Sequence, residues 1–254
     1  MSDTLNKTHH REHEGILNGK TVDGAMIRAR NLSKIYREGG VEAVALRQAS
    51  LTVREGEFVA VMGPSGCGKS TLLNLIGLID TPTGGEYFFL GSDVIHLSEY
   101  RRAFLRKRNI GFVFQNFNLI DTLTIAENLA LPLHYLGISP AESRRRVREV
   151  MERLGITPFR DVFPRRLSGG QQQRAAVARA VVSNPRLILA DEPTGNLDSA
   201  HGDEVMKLLA DSNAQGSAIV MVTHSPAYAR YSHRIIHLFD GRIVSENILE
   251  KGYV

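Results

Sequence analysis

The chain has 254 residues, which is enough for one large α/β domain or for such a domain with a helical insert. Its composition is that of a folded protein, 43% hydrophobic and 23% charged, and a single cysteine excludes an intrachain disulfide framework. No apolar run approaches the roughly 18 residues of a membrane-spanning helix, and the N-terminal stretch lacks the apolar segment of a secretory signal, so we expect a cytoplasmic protein.

The net charge of +4 is compatible with a protein that lies next to an anionic surface, either nucleic acid or lipid headgroups. Arginines cluster within residues 101–108 and again within 144–148. We interpret both clusters as solvated helix faces because no nucleic-acid motif and no interleaved aromatic residues accompany them. No nucleic-acid partner is expected.

The chain begins with a polar segment, residues 1–25, that we interpret as a flexible tail. From Met26 onwards short β-type runs follow, at 26–29, 50–53 and 57–62. The last run leads directly into a glycine-rich segment and then into a helix predicted over 70–78. Strand, glycine loop and helix in this order are the context of a phosphate-binding loop.

The glycine-rich segment reads Gly63-Pro64-Ser65-Gly66-Cys67-Gly68-Lys69-Ser70. Its glycines allow backbone N–H groups to approach phosphates closely, and the following helix adds the positive end of its dipole. We expect Lys69 to reach the β- and γ-phosphates of ATP, the Ser70 hydroxyl to bind Mg²⁺, and Thr71 to add a lesser contact. The thiol of Cys67 is interpreted as a bystander inside the nucleotide-binding loop.

A turn at 82–85 and a strand at 86–90 precede a stretch of mainly helical periodicity, about 98–182. This stretch is predicted to be an α-helical insert with helices at 99–107, 124–136, 141–154 and 169–182. Ser168 and Gln171 form the Ser-x-x-Gln pattern of a capping box. Gly169 and Gly170 are unexpected in an ordinary helix, where glycine costs about 1 kcal/mol relative to alanine. Small residues there suit a helix N-terminus that presses against a phosphate.

Two apolar runs after the insert, 187–190 and 219–222, fit buried parallel strands. Asp191 and Glu192 end the first run. We expect Asp191 to help hold Mg²⁺ and Glu192 to orient and deprotonate the attacking water, a role typically worth on the order of 10²–10⁴-fold in rate. A β-hairpin over 235–245 follows, and residues 248–254 form the C-terminal end.

The string Leu167-Ser168-Gly169-Gly170-Gln171, downstream of the phosphate loop, resembles the signature of the ATP-binding cassette (ABC) transporter ATPases. The resemblance covers about residues 26–247. It implies an α/β P-loop NTPase fold with a β-rich subdomain, a RecA-like core and the α-helical insert. It also assigns further roles: Gln115 senses Mg²⁺ and water, His224 contacts the γ-phosphate, Asp198 lies in a loop that crosses the dimer interface, and Tyr36, placed after a β-strand, stacks on adenine.

In this family two such domains close head to tail over two ATP molecules, so each chain carries half of each active site. The resemblance therefore implies a homodimer with ATP and Mg²⁺, in which Lys69, Gln115, Glu192 and His224 are catalytic. A separate transmembrane permease would dock in the groove near Gln115 and residues 116–124, and would hold the protein on the inner face of the cell membrane.

Three strings are similar to the lipoprotein-releasing, macrolide-export and cell-division branch of the family, namely residues 111–119, 127–133 and 193–199. Members of that branch drive permeases for export or for mechanical work across the membrane. Other readings stay open: an importer ATPase of the amino-acid-uptake type, a regulator of a membrane-anchored enzyme, or a soluble ABC ATPase without transport.

Overall fold

The computed structural model describes residues 24–249, so the predicted tail before residue 24 and the end of the chain after 249 lie outside the described residues. The strands are β1 (Ala25–Glu38), β2 (Val41–Arg54), β3 (Phe58–Met62), β4 (Gly84–Phe89), β5 (Ser92–Asp93), β6 (Ile110–Val113), β7 (Leu187–Asp191), β8 (Ala218–Val222), β9 (Arg234–Phe239) and β10 (Arg242–Ile248). The helices are α1 (Lys69–Ile76), α2 (Glu99–Asn109), α3 (Ile125–Tyr135), α4 (Pro140–Arg153), α5 (Gly169–Val181), α6 (Ser199–Ala214) and α7 (Pro226–Ala229).

The strands form two sheets. The smaller sheet is antiparallel, in the order β2-β1-β4-β5, and the larger has the order β10-β9-β3-β8-β7-β6. In the larger sheet β9, β3, β8, β7 and β6 run parallel, and β10 closes the edge as an antiparallel hairpin with β9. This arrangement confirms the predicted α/β fold with a β-rich part, a parallel core and a helical insert.

The central strands have their side chains packed on both faces of the sheet. On β3, Val59 and Val61 belong to the hydrophobic core shared with the antiparallel sheet and α1, whereas Phe58 belongs to the core shared with the insert and α6. A strand buried on both faces needs apolar residues at consecutive positions. This requirement explains why β3, β7 and β8 could be predicted from short apolar runs.

Three features differ from the sequence-based expectation. Strands β1 and β2 are much longer than the runs predicted at 26–29 and 50–53. Strand β6 interrupts the predicted helical stretch and pairs with β7 in the core sheet. Helix α6 was not predicted, although its apolar positions from 205 to 209 follow helical spacing. The domain bounds 26–247 stay a prediction.

None of the helices within residues 24–249 is long and apolar enough to cross a membrane.

Candidate functional site

The phosphate loop lies between β3 and α1, at the carboxyl end of a central parallel strand. Lys69 opens α1, and its buried ammonium donates hydrogen bonds to the carbonyl oxygens of Gly63 at 2.9 Å and Pro64 at 2.8 Å. Gly68 caps the helix in the left-handed region, with φ 104°. The loop therefore curls around the ammonium and brings it next to the positive end of the helix.

Two glycines of the loop lie against the backbone of other strands. A Cβ atom at Gly63 would lie 2.1 Å from the carbonyl oxygen of Leu238 in β9. A Cβ atom at Gly68 would lie 2.3 Å from the carbonyl oxygen of Ala45 in β2. No side chain fits at either position without a shift of backbone, so the spacing of these glycines is dictated by packing as well as by access to phosphate.

A cavity of about 250 Å³ opens above this loop. We call it the phosphate-loop cavity. Most of its lining consists of residues predicted from the sequence: Ser65, Gly66, Gly68, Lys69, Ser70, Thr71, Gln115, Asp191, Glu192 and His224. Two lining residues were missed, Ala45 and Val222. Val222 ends a predicted strand, but only the tertiary packing of β2 brings Ala45 to the cavity.

Glu192 and His224 meet at the edge of the cavity. Glu192 has a left-handed backbone (φ 47°), a conformation that non-glycine residues adopt rarely and often at functional sites. The backbone N–H of His224 donates to Oε2 at 3.4 Å, and its Nε2 lies 3.2 Å from Oε1. That second contact is at ion-pair distance but not in hydrogen-bonding geometry, so Oε1 has no hydrogen-bond partner within the described chain.

Burial raises the pKa of the Glu192 carboxyl above its ordinary value, and the nearby His224 opposes this shift. Only 14% of the Glu192 side chain is exposed. A desolvated carboxylate in which one oxygen accepts no hydrogen bond is a stronger base than one in water. Its position at the end of β7 therefore suits the removal of a proton from a water molecule in the cavity.

The donor set fits a triphosphate with Mg²⁺. Lys69 and the loop N–H groups supply positive charge for phosphate oxygens. The Ser70 hydroxyl and the oxygens of Gln115 and Asp191 are hard ligands of the kind that Mg²⁺ prefers, and all three line the same cavity.

The signature residues form a second group outside the phosphate-loop cavity. Ser168 caps α5, and it forms both hydrogen bonds of a capping box with Gln171, at 3.0 and 3.3 Å. A Cβ atom at Gly170 would lie 3.2 Å from the Leu197 side chain, next to Asp198, which caps α6. Ser168, Gly169 and Asp198 are exposed. The N-terminus of α5 is thus open to solvent, as an anion-binding helix end requires.

Tyr36 lies within β1 rather than after a strand, which corrects the predicted local structure. Its hydroxyl donates to Asp80 at 3.1 Å, and the Lys34 ammonium lies 4.9 Å from the ring centroid. Tyr36 pairs with Ala43 across the hairpin, two residues from the cavity-lining Ala45. Tyr36 as a whole residue is 40% exposed. Its stacking on adenine stays a prediction.

Comparison with known proteins decides the family. The family model described as ABC transporter matches residues 46–195 of this chain. The chain belongs to the ABC transporter family. It is an ATPase of this family and binds nucleotide.

Several curated relatives and solved structures that are similar to this chain contain an ATP-binding cassette. An uncharacterized ABC transporter ATP-binding protein of Methanocaldococcus jannaschii is 48% identical over 219 residues, 86% of this chain and 98% of that protein. The macrolide export ATP-binding/permease protein MacB of Syntrophobacter fumaroxidans is 46% identical over 225 residues, but this chain spans only 32% of its length. A dimeric structure of the ATP-binding cassette MJ0796 in a post-hydrolysis state, bound to ADP and Pi, has a TM-score of 0.86 and 43% identity, and covers 89% of this chain and 100% of that one. The macrolide-export relatives agree with the branch predicted from sequence.

The raised pKa of Glu192 predicts a pH-dependent stability difference in the ABC ATPase. In the unfolded chain the carboxyl titrates at about pH 4.3. Below that pH the carboxyl is protonated in both the folded and the unfolded state. As the pH rises from that value through the higher pKa of the folded state, the wild type loses stability, because the fold must hold a charged, poorly solvated group. Glu192→Gln lacks this titration. We expect the Tm of Glu192→Gln, relative to that of the wild type, to rise as the pH increases above about 4.3, the value of the unfolded chain.

Circular dichroism melts across this pH range provide the measurement. Glu86→Gln is the control, since Glu86 is exposed and its contact with Arg30 is long, at 4.0 Å. A Tm difference for Glu192→Gln that does not change with pH would contradict the assigned environment of the carboxyl.

Proposed function

We propose that this ATPase works as a homodimer in which the phosphate-loop cavity of each chain is completed by the Ser168–Gln171 segment of the other. The observation that carries the proposal is the separation of the site residues into two groups. One group surrounds the cavity, and the other lies at the exposed N-terminus of α5. The dimeric form of the similar cassette MJ0796 gives further support.

Within each cavity the chain's own residues would hold ATP and direct the attack of water. The loop N–H groups and Lys69 hold the phosphates, while Ser70, Gln115 and Asp191 provide the ligands for Mg²⁺. A bound Mg²⁺ ion neutralises charge on the phosphates. Glu192 accepts a proton from the water whose oxygen attacks the γ-phosphorus, and the bond from that phosphorus to the bridging oxygen breaks.

Glu192→Gln tests the assigned base. The substitution keeps the volume of the side chain and removes its ability to accept the proton. We expect phosphate release to fall by about 10²-fold or more, while ATP still binds and the protein accumulates as a dimer. Phosphate release and light scattering coupled to size exclusion, each with Mg-ATP, measure the two effects.

A matched control is Glu152→Gln, which changes an exposed glutamate of α4. Its turnover and its monomer–dimer ratio should equal those of the wild type. Wild-type turnover by Glu192→Gln would show that another group removes the proton.

A groove between the core and the helical insert has the properties of a docking site for a permease. A cavity of about 510 Å³ lies between the core and the helical insert, where β6, α2, α3 and α5 meet. Its apolar surface includes the stacked rings of Phe112 and Phe114, 5.4 Å between centroids, and the exposed Tyr135, and its cationic rim includes Arg106 and Lys107. Phe114 directly precedes Gln115, so an occupant of this groove lies next to a residue of the phosphate-loop cavity.

We therefore propose that this groove receives a helical segment of a separate transmembrane permease, which places the ATPase on the inner face of the cell membrane. The M. jannaschii relative, almost completely covered by this chain, and the MacB relatives, in which cassette and permease share one chain, support this partnership. The exporter relatives favour export or mechanical work across the membrane over import.

The role of the groove in docking is tested by substituting two tyrosines of similar exposure. Tyr135 lines the groove and is 63% exposed, whereas Tyr100 is 72% exposed on α2 and does not line it. Tagged Glu192→Gln protein, with Mg-ATP and detergent-solubilised native membranes, should capture a multi-spanning permease. Adding Tyr135→Ala should abolish the capture, and adding Tyr100→Ala should not.

Mass spectrometry of the captured proteins gives the readout. Capture of only soluble proteins or nucleic acid would contradict the permease partnership. Equal capture by both tyrosine variants would contradict the position of the docking surface while leaving the partnership in place.

A further inference from the structure

Arg179, on the last turn of α5, holds the loop that follows Gln115. Its two terminal guanidinium nitrogens donate to the carbonyl oxygens of Asn118 at 2.5 Å and Phe117 at 2.9 Å. Both loop residues have left-handed backbones, with φ 49° and 60°. Two consecutive non-glycine residues in this region are unusual, and here the conformation presents both carbonyls to one side chain.

The environment of Arg179 argues against a role in ion pairing. Within residues 24–249 no carboxylate lies within ion-pair distance of its guanidinium. Burial lowers the pKa of Arg179, because a buried guanidinium loses the solvation of its charge. The hydrogen bonds to the two carbonyl oxygens offset part of this loss. The planar fork of arginine can donate to two separate acceptors at once, which the single ammonium of lysine does with less defined geometry.

The same loop also contacts the beginning of α5. The Phe117 ring lies 3.8 Å from the position of a Cβ atom at Gly169, the first residue of the helix. Asn118 and Arg179 both line the groove between core and insert, together with Phe114. The loop after Gln115 is therefore attached near both ends of α5, and one side of this attachment faces the groove.

We propose that Arg179 is a positioning residue that makes the Gln115 loop and helix α5 move as one body. This inference rests on the proposed function of the dimer. A segment bound in the groove would then set Gln115 in the cavity of its own chain and, through α5, set Ser168 toward the cavity of the second copy. Arg179 does not line the phosphate-loop cavity, and it acts through the loop and the helix that it joins.

Arg179→Gln is the first test. The phosphate loop is unchanged in this variant, so the KM for ATP should stay within about twofold of wild type. Because misplacement of a catalytic group by about 1 Å can cost 10²-fold in rate, we expect kcat to fall by about 10-fold or more. Arg179→Lys, which keeps the charge and can replace one bond, should give an intermediate kcat. Arg153→Gln, which breaks an exposed pair with Asp211 at 2.8 Å, is the matched control.

Hydrogen–deuterium exchange separates positioning from general stability. In Arg179→Gln we expect faster exchange over 115–119 and at the start of α5, with β7 and α1 unchanged. Arg179→Lys serves for the same comparison if Arg179→Gln does not fold. A wild-type kcat, or faster exchange spread evenly over the core, would overturn the proposal. Glu192→Gln is measured in parallel, so that failure of the proposed active site can be distinguished from failure of the proposed role of Arg179. Wild-type turnover in Glu192→Gln would refute the proposed site, independently of the results for the Arg179 variants.

Discussion

The site depends on the close packing of one backbone loop between two sheets. Gly63 lies against the carbonyl of Leu238 in the parallel sheet, and Gly68 lies against the carbonyl of Ala45 in the antiparallel sheet. These contacts leave the loop little freedom, so its N–H groups and the Lys69 ammonium are held in place before any phosphate arrives. Preorganised donors of this kind stabilise charge without reorganising during the reaction, which makes them effective in catalysis.

The parallel arrangement of the core sheet brings the remaining groups to the same edge. Strands β3, β7 and β8 end at this edge, and they are followed by the phosphate loop, by Glu192 and by His224. Strand β6 pairs with β7, and Gln115 comes shortly after β6, at the same edge of the sheet. Gln115 therefore lines the same cavity, at the point where the chain enters the helical insert. Ligands generally bind at the carboxyl ends of strands in open α/β sheets, and here that rule accounts for four segments that are distant in sequence.

Local signals made the phosphate loop, the buried strands and the capping box at Ser168 predictable, because each is encoded by neighbouring residues. Contacts between distant residues were not predictable. The carbonyl partners of Arg179 lie 61 and 62 residues away, and the contact of Glu192 with His224 spans 32 residues. Strand β6 was missed because it has only four residues, one of them glycine, between two helices. Tyr36 was placed after a strand because the polar, irregular second half of β1 carries no strand periodicity.

The central claim is that one active site needs two copies of this chain, and a mixing experiment tests it most directly. Lys69→Ala removes the phosphate-loop ammonium, and Ser168→Arg blocks the N-terminus of α5, so each variant alone should be inactive. A mixed dimer has one site built from the intact loop of one copy and the intact signature of the other. We predict that mixing the two inactive proteins restores ATP hydrolysis. No activity at any mixing ratio, or full activity of Ser168→Arg alone, would contradict the shared site.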